Sequence, residues 1–203
     1  MNRDAMCPLF RNLAVLLMPL MLLACGPGPS AETERPPLEG ASIGGPFTLV
    51  DKAGNTVRWS GLAGKYRIVY FGFTFCPDAC PMDMHALMTG FAKFEKANPG
   101  LAARVQPLFI TIDPERDGPE EVGQFAAAFH PRLMGLTGTP EQIETAAKAF
   151  AVYYAKGEET AGGYLVDHSR VAYLMGPEGE PIAILPVDQT PDAVAAELQK
   201  WVT

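Results

Sequence analysis

Two cysteines stand four positions apart in Phe75-Cys76-Pro77-Asp78-Ala79-Cys80-Pro81. Residues 66–71 before them read as a buried strand, and a helical pattern follows. The thiols therefore fall in the turn between a strand end and a helix start. Helix-start N–H groups favour anions there, thiolates included, and lower thiol pKa values. Three uses are open: redox chemistry, metal binding, or a structural staple. A bridge over four residues closes too small a loop to gain much from chain entropy, so the staple is the weakest of the three. The spacing is one residue longer than a thioredoxin-type pair. If it is helical, both sulfurs lie on one side, with Cβ atoms about 5–6 Å apart.

The other cysteines are accounted for by the N-terminus. Residues 1–25 have an export leader's pattern, with Arg3 and Arg11 ahead of an apolar run from Leu13 to Leu23 that is short for a bilayer span. The run ends Leu22-Leu23-Ala24-Cys25-Gly26, which resembles a bacterial lipobox. That resemblance implies cleavage before Cys25, its lipidation, and a membrane-anchored lipoprotein of the bacterial cell envelope that faces the periplasm. Cys7 would leave with the leader, so Cys76 and Cys80 remain as the thiol pair. Residues 26–42 are rich in Pro, Gly, Glu and Ser and read as a flexible linker. The formal net charge of −7 over 203 residues excludes nucleic acid as the main partner.

The folded domain is expected over 43–203, a length that supports one core. Strand patterns at 47–50 and 56–59 flank the turn residues 51–55, an N-terminal hairpin. The near-continuous apolar run 66–73 reads as a central strand covered on both faces. A helix runs from Pro81 to about Ala97 and stops at Asn98-Pro99-Gly100. A second buried strand, 105–112, ends in the polar loop 113–118 at the same sheet edge. A helix over 119–129, a short strand at 133–136 and a helix capped by Thr139 with Gln142 follow. Then come an inserted hairpin (152–156 with 164–167), a second hairpin (171–175 with 181–185) and a last helix from Pro191 to about Trp201. Parallel β–α units closed by an antiparallel hairpin and a helix are the layout of an α/β, thioredoxin-like fold.

Four segments taken together resemble the SCO/SenC family: 75–81, Thr111-Ile112-Asp113-Pro114-Glu115-Arg116-Asp117, Leu136-Thr137-Gly138, and Val166-Asp167-His168-Ser169. The resemblance covers about 43–201. It implies a membrane-tethered, thioredoxin-fold protein of copper delivery that holds one copper through Cys76, Cys80 and His168. It further implies delivery to the dinuclear copper site of cytochrome c oxidase subunit II, or to another periplasmic copper protein.

The residue chemistry agrees with that reading. Two thiolates are soft donors that suit Cu(I), and one neutral imidazole completes a set of three. Cu(I) is the expected state, with Cu(II) as the alternative. The same pair can close into a disulfide, so loading requires the dithiol and hence a thiol reductant. His85 falls on another face of the motif helix and reads as a packed or solvent-facing residue. His130 reads as a helix C-cap. Asp78 and Met82 are candidates for support around the donors; Met84 and Met88, an i,i+4 pair on the apolar face, read as core. Asp113 and Asp117 read as capping and loop residues. Enzyme activity is left open. The alternative function is a thiol-disulfide oxidoreductase that reduces the partner's copper-site cysteines; a pure reductase needs no distal imidazole. A thiol peroxidase is least favoured, since Phe73 and Pro77 occupy the positions where Thr would precede each cysteine.

Overall fold

The computed structural model describes residues 34–159 and 163–203. Cys7, Cys25 and the leader lie outside them. Arg35–Thr203 make one compact unit. In chain order its elements are β1 (Thr48–Asp51), β2 (Thr56–Arg58), a 3-10 turn (Trp59–Leu62), β3 (Tyr66–Gly72), α1 (Ala79–Ala97), the single turn α2 (Pro99–Ala102), β4 (Val105–Thr111) and α3 (Pro119–Phe129). These are followed by β5 (Met134–Thr137), α4 (Pro140–Ala149), β6 (Tyr154–Lys156), β7 (Val166–His168), β8 (Ala172–Met175), β9 (Pro181–Leu185) and α5 (Pro191–Trp201).

The main sheet has the order β2-β1-β5-β4-β3-β8-β9. Its centre, β5-β4-β3, is parallel, and both flanks are antiparallel. This is the thioredoxin-like layout expected from the order of elements, with the N-terminal hairpin β1–β2 on one flank. The inserted hairpin β6–β7 forms a two-stranded sheet of its own and pairs Tyr154 with His168. β3 and β4 run in register from Tyr66↔Val105 to Gly72↔Thr111. The loops that follow them therefore emerge at one edge, where α/β sheets gather functional groups.

Side chains alternate along the central strands, as the pleat requires. Ile68, Tyr70 and Phe109 share one core cluster with Met84, Leu87, Met88 and Phe91 of α1 and with Val194 and Leu198 of α5. Val69, Phe71, Leu108 and Ile110 face the other, with Ile143, Ala146 and Phe150 at α4 and beyond it. Met84 and Met88 are buried, as the core reading required. The α4 cap is the reciprocal box foreseen from Thr139 and Gln142.

Two details differ from expectation. Asn98-Pro99-Gly100 does end α1, but the chain winds one more turn, α2, because Pro99 is well suited to a first helical position. Contact with the sheet also begins before residue 43: the Leu38 N–H donates to the Ile182 carbonyl at 3.0 Å, and Leu38 packs on the core. An apolar residue in a polar, Pro-rich stretch gives no periodicity to read.

Gly135 sets how closely α3 can lie on β5. A Cβ there would sit 2.2 Å from the Val122 carbonyl oxygen. Neither backbone can give way without moving the helix, so Gly135→Ala should destabilise the domain by about 1–3 kcal/mol or more. Chemical denaturation checks this; an unchanged midpoint would contradict it.

Candidate metal centre

Cys76 lies in the loop between β3 and α1, not in the helix. Its N–H donates to the Phe73 carbonyl at 3.3 Å, and α1 starts only at Ala79. The sulfurs therefore meet by a different route from helical spacing. The loop folds back over the helix start, and the Cys80 N–H donates to the Cys76 sulfur at 3.3 Å. Both thiols are free. Cys76 is 9% exposed and Cys80 is fully buried.

His168 ends β7 and reaches the pair from the far side. Its Nε2 lies 3.4 Å from the Cys80 sulfur, and its Nδ1 is 3.0 Å from the Ser169 carbonyl oxygen. A carbonyl only accepts, so the proton of the neutral ring belongs on Nδ1 and the Nε2 lone pair faces the sulfur. The ring meets Tyr70 and Phe73 edge-on, with centroids 6.5 and 5.9 Å away. One donor atom from each of Cys76, Cys80 and His168 lies within 4.8 Å of the other two. The far-apart residues of the sequence motif thus converge in one cluster that could hold a metal ion.

Burial reverses one expectation. The helix start was expected to lower the thiol pKa values, but removal from water pushes the Cys80 thiol well above its ordinary range. The helix-start field is a fraction of a charge at the surface, whereas burial withdraws a whole charge from solvent. A cation bound at the sulfur removes that conflict, since thiolate and metal enter the site as a neutralising pair. Burial also lowers the His168 pKa, which favours the neutral imidazole that a ligand must be.

Gly72, at the end of β3, makes room for the Cys80 sulfur. A Cβ on it would come within 3.0 Å of that sulfur and of the Tyr70 ring, and 3.1 Å from Phe109. Asp117 anchors the start of the cysteine loop. Its carboxylate accepts from the Thr74 N–H at 2.8 Å, the Thr74 hydroxyl at 2.5 Å and the Thr111 hydroxyl at 2.6 Å. Asp113 accepts from Arg116 Nε at 2.5 Å and from the Tyr164 hydroxyl at 2.7 Å. Arg116 in turn lies over the Tyr164 and Phe75 rings, at 3.7 and 4.9 Å, and donates to the Tyr164 carbonyl at 2.9 Å. The loop-residue reading of both acids stands, and each has a definite task. Asp117 holds the cysteine loop, and Asp113 ties the β4–α3 loop to the inserted hairpin.

Asp78 and Met82 are placed less centrally. Asp78 is the exposed N-cap residue of α1 and makes no side-chain capping bond; Met82 is 60% exposed on the first turn. His85 is exposed, and His130 caps α3 while its Nε2 lies 3.4 Å from a Glu95 carboxylate oxygen. The sequence reading missed Asp83. It is 1% exposed and accepts from Tyr70 and Arg170. Its signal was an acid three residues after Cys80 on the helical face that otherwise carries Met84, Leu87 and Met88. No spacing rule flagged Arg170 or Tyr70.

The chain matches the SCO1/SenC family model over residues 35–203. It belongs to the SCO1/SenC family. It is 43% identical over 175 residues to a mitochondrial SCO1 homologue of Arabidopsis thaliana, covering 84% of this chain and 52% of that protein. The chain spans about half the length of the curated family relatives it matches. The crystal structure of Arabidopsis thaliana ScoI with copper bound superposes with a TM-score of 0.73 at 42% identity, over 78% of this chain and 96% of that one. A structure of BsSco, described with a disulfide switch and as a member of the Sco family of cytochrome c oxidase assembly proteins, superposes with a TM-score of 0.61 at 28% identity, over 84% and 97%.

The relatives correct the expected address. The Arabidopsis, yeast and cattle family members are mitochondrial by name, which overturns the bacterial-envelope, periplasm-facing lipoprotein read from the leader. A short apolar run ending in a small residue and a cysteine is too brief a pattern to fix a compartment. Among the described residues, no helix is long and apolar enough to cross a membrane.

The lowered His168 pKa has a consequence for the reduced, metal-free protein. The fold prefers the neutral ring, so the contribution of this group to stability is complete above the ordinary value of about 6.5. It is lost as pH falls from there through the lower folded value. Ring resonances followed by NMR should titrate below pH 6.5, and denaturation should show His168→Asn losing less stability than wild type between pH 7 and 5. A ring that titrates above 6.5 would contradict this account.

Proposed function

We propose that the chain is a copper-delivery protein. It holds one Cu(I) on the sulfurs of Cys76 and Cys80 and on Nε2 of His168. The single observation that carries this reading is the convergence of two free thiols and an imidazole lone pair within 4.8 Å. Soft sulfur donors favour Cu(I), and Cu(II) is the weaker fit to such a set. A site of three donors leaves an approach open for a fourth. Cys76 offers that approach because, unlike Cys80, it is not fully buried. Copper then passes to its acceptor by ligand exchange, each new donor replacing an old one without release of the free ion. The acceptor that fits the family is the dinuclear copper site of cytochrome c oxidase subunit II, in keeping with the description of BsSco as a cytochrome c oxidase assembly protein.

A second activity is supported by the same pair. The dithiol can pass two electrons and two protons to a disulfide of the acceptor, which becomes a dithiol as Cys76 and Cys80 close into a disulfide. The disulfide switch described for BsSco favours this reading. A thiol reductant then restores the pair. Reduction of the acceptor and delivery to it are compatible in sequence. The part of 26–42 that precedes Arg35 is proposed as the linker to an N-terminus held at a membrane, and the folded domain is proposed to carry all the copper chemistry.

The reduced protein should bind one Cu(I) per chain in competition with a chromophoric chelator. His168→Ala should weaken binding by at least tenfold and remove the nitrogen contribution from the X-ray absorption spectrum. An unchanged affinity and spectrum would sink the His168 assignment. Oxidation to the Cys76–Cys80 disulfide should abolish loading; a stably loaded oxidised form would overturn the proposed ligand set.

A further inference from the structure

One ion pair bridges the two segments that carry Cys80 and His168. Asp83 stands three residues beyond Cys80 on α1, and Arg170 two residues beyond His168 in the connection from β7 to β8. The guanidinium donates into both carboxylate oxygens, from Nη2 to Oδ1 at 2.6 Å and from Nε to Oδ2 at 3.0 Å. The Tyr70 hydroxyl of β3 donates to the same Oδ2 at 2.8 Å. A single carboxylate thus joins α1, the central strand and the end of the inserted hairpin.

We propose that Asp83 and Arg170 are positioning residues of the copper site, and that their ion pair sets the reach from Cys80 to His168 before metal arrives. The proposal rests on the reading that Cys76, Cys80 and His168 hold copper.

The mechanical argument starts from the hairpin. β6–β7 is outside the main sheet, and each of its strands has three residues. Two short strands alone are marginal, so what they are tied to decides where His168 sits. Their far end is tied through Tyr164 and Arg116 to the β4–α3 loop, and through Lys156 to Glu115. None of those ties reaches α1. Among the described residues, the polar contacts between 166–170 and α1 are the Cys80–His168 contact and the Arg170–Asp83 pair. The first is the very distance that needs to be set, so the pair is the polar constraint independent of it, beside the packing of the ring on Tyr70 and Phe73.

The residue types suit the task. A planar guanidinium on one carboxylate fixes direction as well as distance, which an ammonium does not. Asp83 is 1% exposed, so its charge is not surrendered to water once paired. Without the pair, the imidazole remains on its strand, but the ordering it needs falls on the metal-binding step and weakens it.

The test uses the reduced full chain and three variants: Arg170→Gln, Arg170→Lys, and Asp83→Asn with Arg170→Gln. The double variant leaves no buried charge unpaired, so it stays informative where Arg170→Gln alone fails to fold. Arg170→Gln and the double variant should weaken Cu(I) binding by at least tenfold and diminish the nitrogen contribution in X-ray absorption while the sulfur contribution persists. Arg170→Lys should recover part of both. A copper-free measurement runs alongside: the nuclear Overhauser effect between the His168 ring and the Cys80 β-protons, strong in wild type and reduced in the variants. Wild-type affinity, nitrogen signal and Overhauser effect in the double variant would overturn the proposal. An Overhauser effect that weakens in the variants, in a protein whose wild type binds no copper, would support the clamp and overturn the copper reading instead.

Discussion

The sulfur of Cys80 has to be inside the protein and still face a nitrogen lone pair. Most of the local structure follows from that requirement. A buried thiolate alone is costly, which is why the thiol is held protonated, and why a cation at this point is stabilised by what the fold has already desolvated. The requirement also fixes neighbours that take no part in the chemistry. Gly72 leaves the sulfur its room, since a Cβ there would press on it and on two aromatic rings. Ser169 must offer its carbonyl, since that bond decides which ring nitrogen is left bare.

The donors come from places that only the sheet can bring together. The parallel register of β3 and β4 puts the cysteine loop beside the loop of Asp113 and Asp117. Asp117 then accepts three bonds, two from Thr74 and one from Thr111, and so joins the end of β4 to the start of the cysteine loop. Burial raises the pKa of that carboxyl, and those three bonds offset only part of the rise. The inserted hairpin covers the site from outside the sheet and brings His168 to a residue 88 positions earlier in the chain. A hairpin this short takes its position from its ties, so the aromatic and ionic contacts of Arg116 and Tyr164 belong to the site although none supplies a donor.

Much of this was legible in the residues, and the unread part has physical reasons. The central strands, the closing helix and the capping box were plain because each is a local pattern: continuous apolar runs, Thr-Pro starts, a Gln three residues after a cap. All three hairpins were legible from the turn residues between their strands. The donor set was legible only as a family resemblance, because nothing local ties position 168 to position 80. The helical spacing of the cysteines was a sound inference from geometry, but Pro77 and Asp78 lie in the loop and α1 starts after them, so the sulfurs meet across a turn. The thiol pKa was read from the helix start alone; burial, which decides it, is a property of the packed fold. Asp83 was hidden in plain view on an apolar helical face. Its partner Arg170 lies far off in sequence, and an ion pair between distant segments leaves no periodicity.

The charges around the site can now be balanced against each other. Asp83 is paired with Arg170, and Asp113 with Arg116, so two of the buried acids bring no net charge toward the metal. The third, Asp117, is satisfied by hydroxyl and amide donors. Two thiolates and one Cu(I) carry a single negative charge between them, and the imidazole adds none. Exchanging two thiol protons for one Cu(I) therefore changes the charge of the interior by one unit. A divalent ion on the same three donors would leave the site neutral, so charge alone does not choose between Cu(I) and Cu(II). The proposal of Cu(I) therefore rests on donor softness and on coordination number, which two sulfurs and one nitrogen suit.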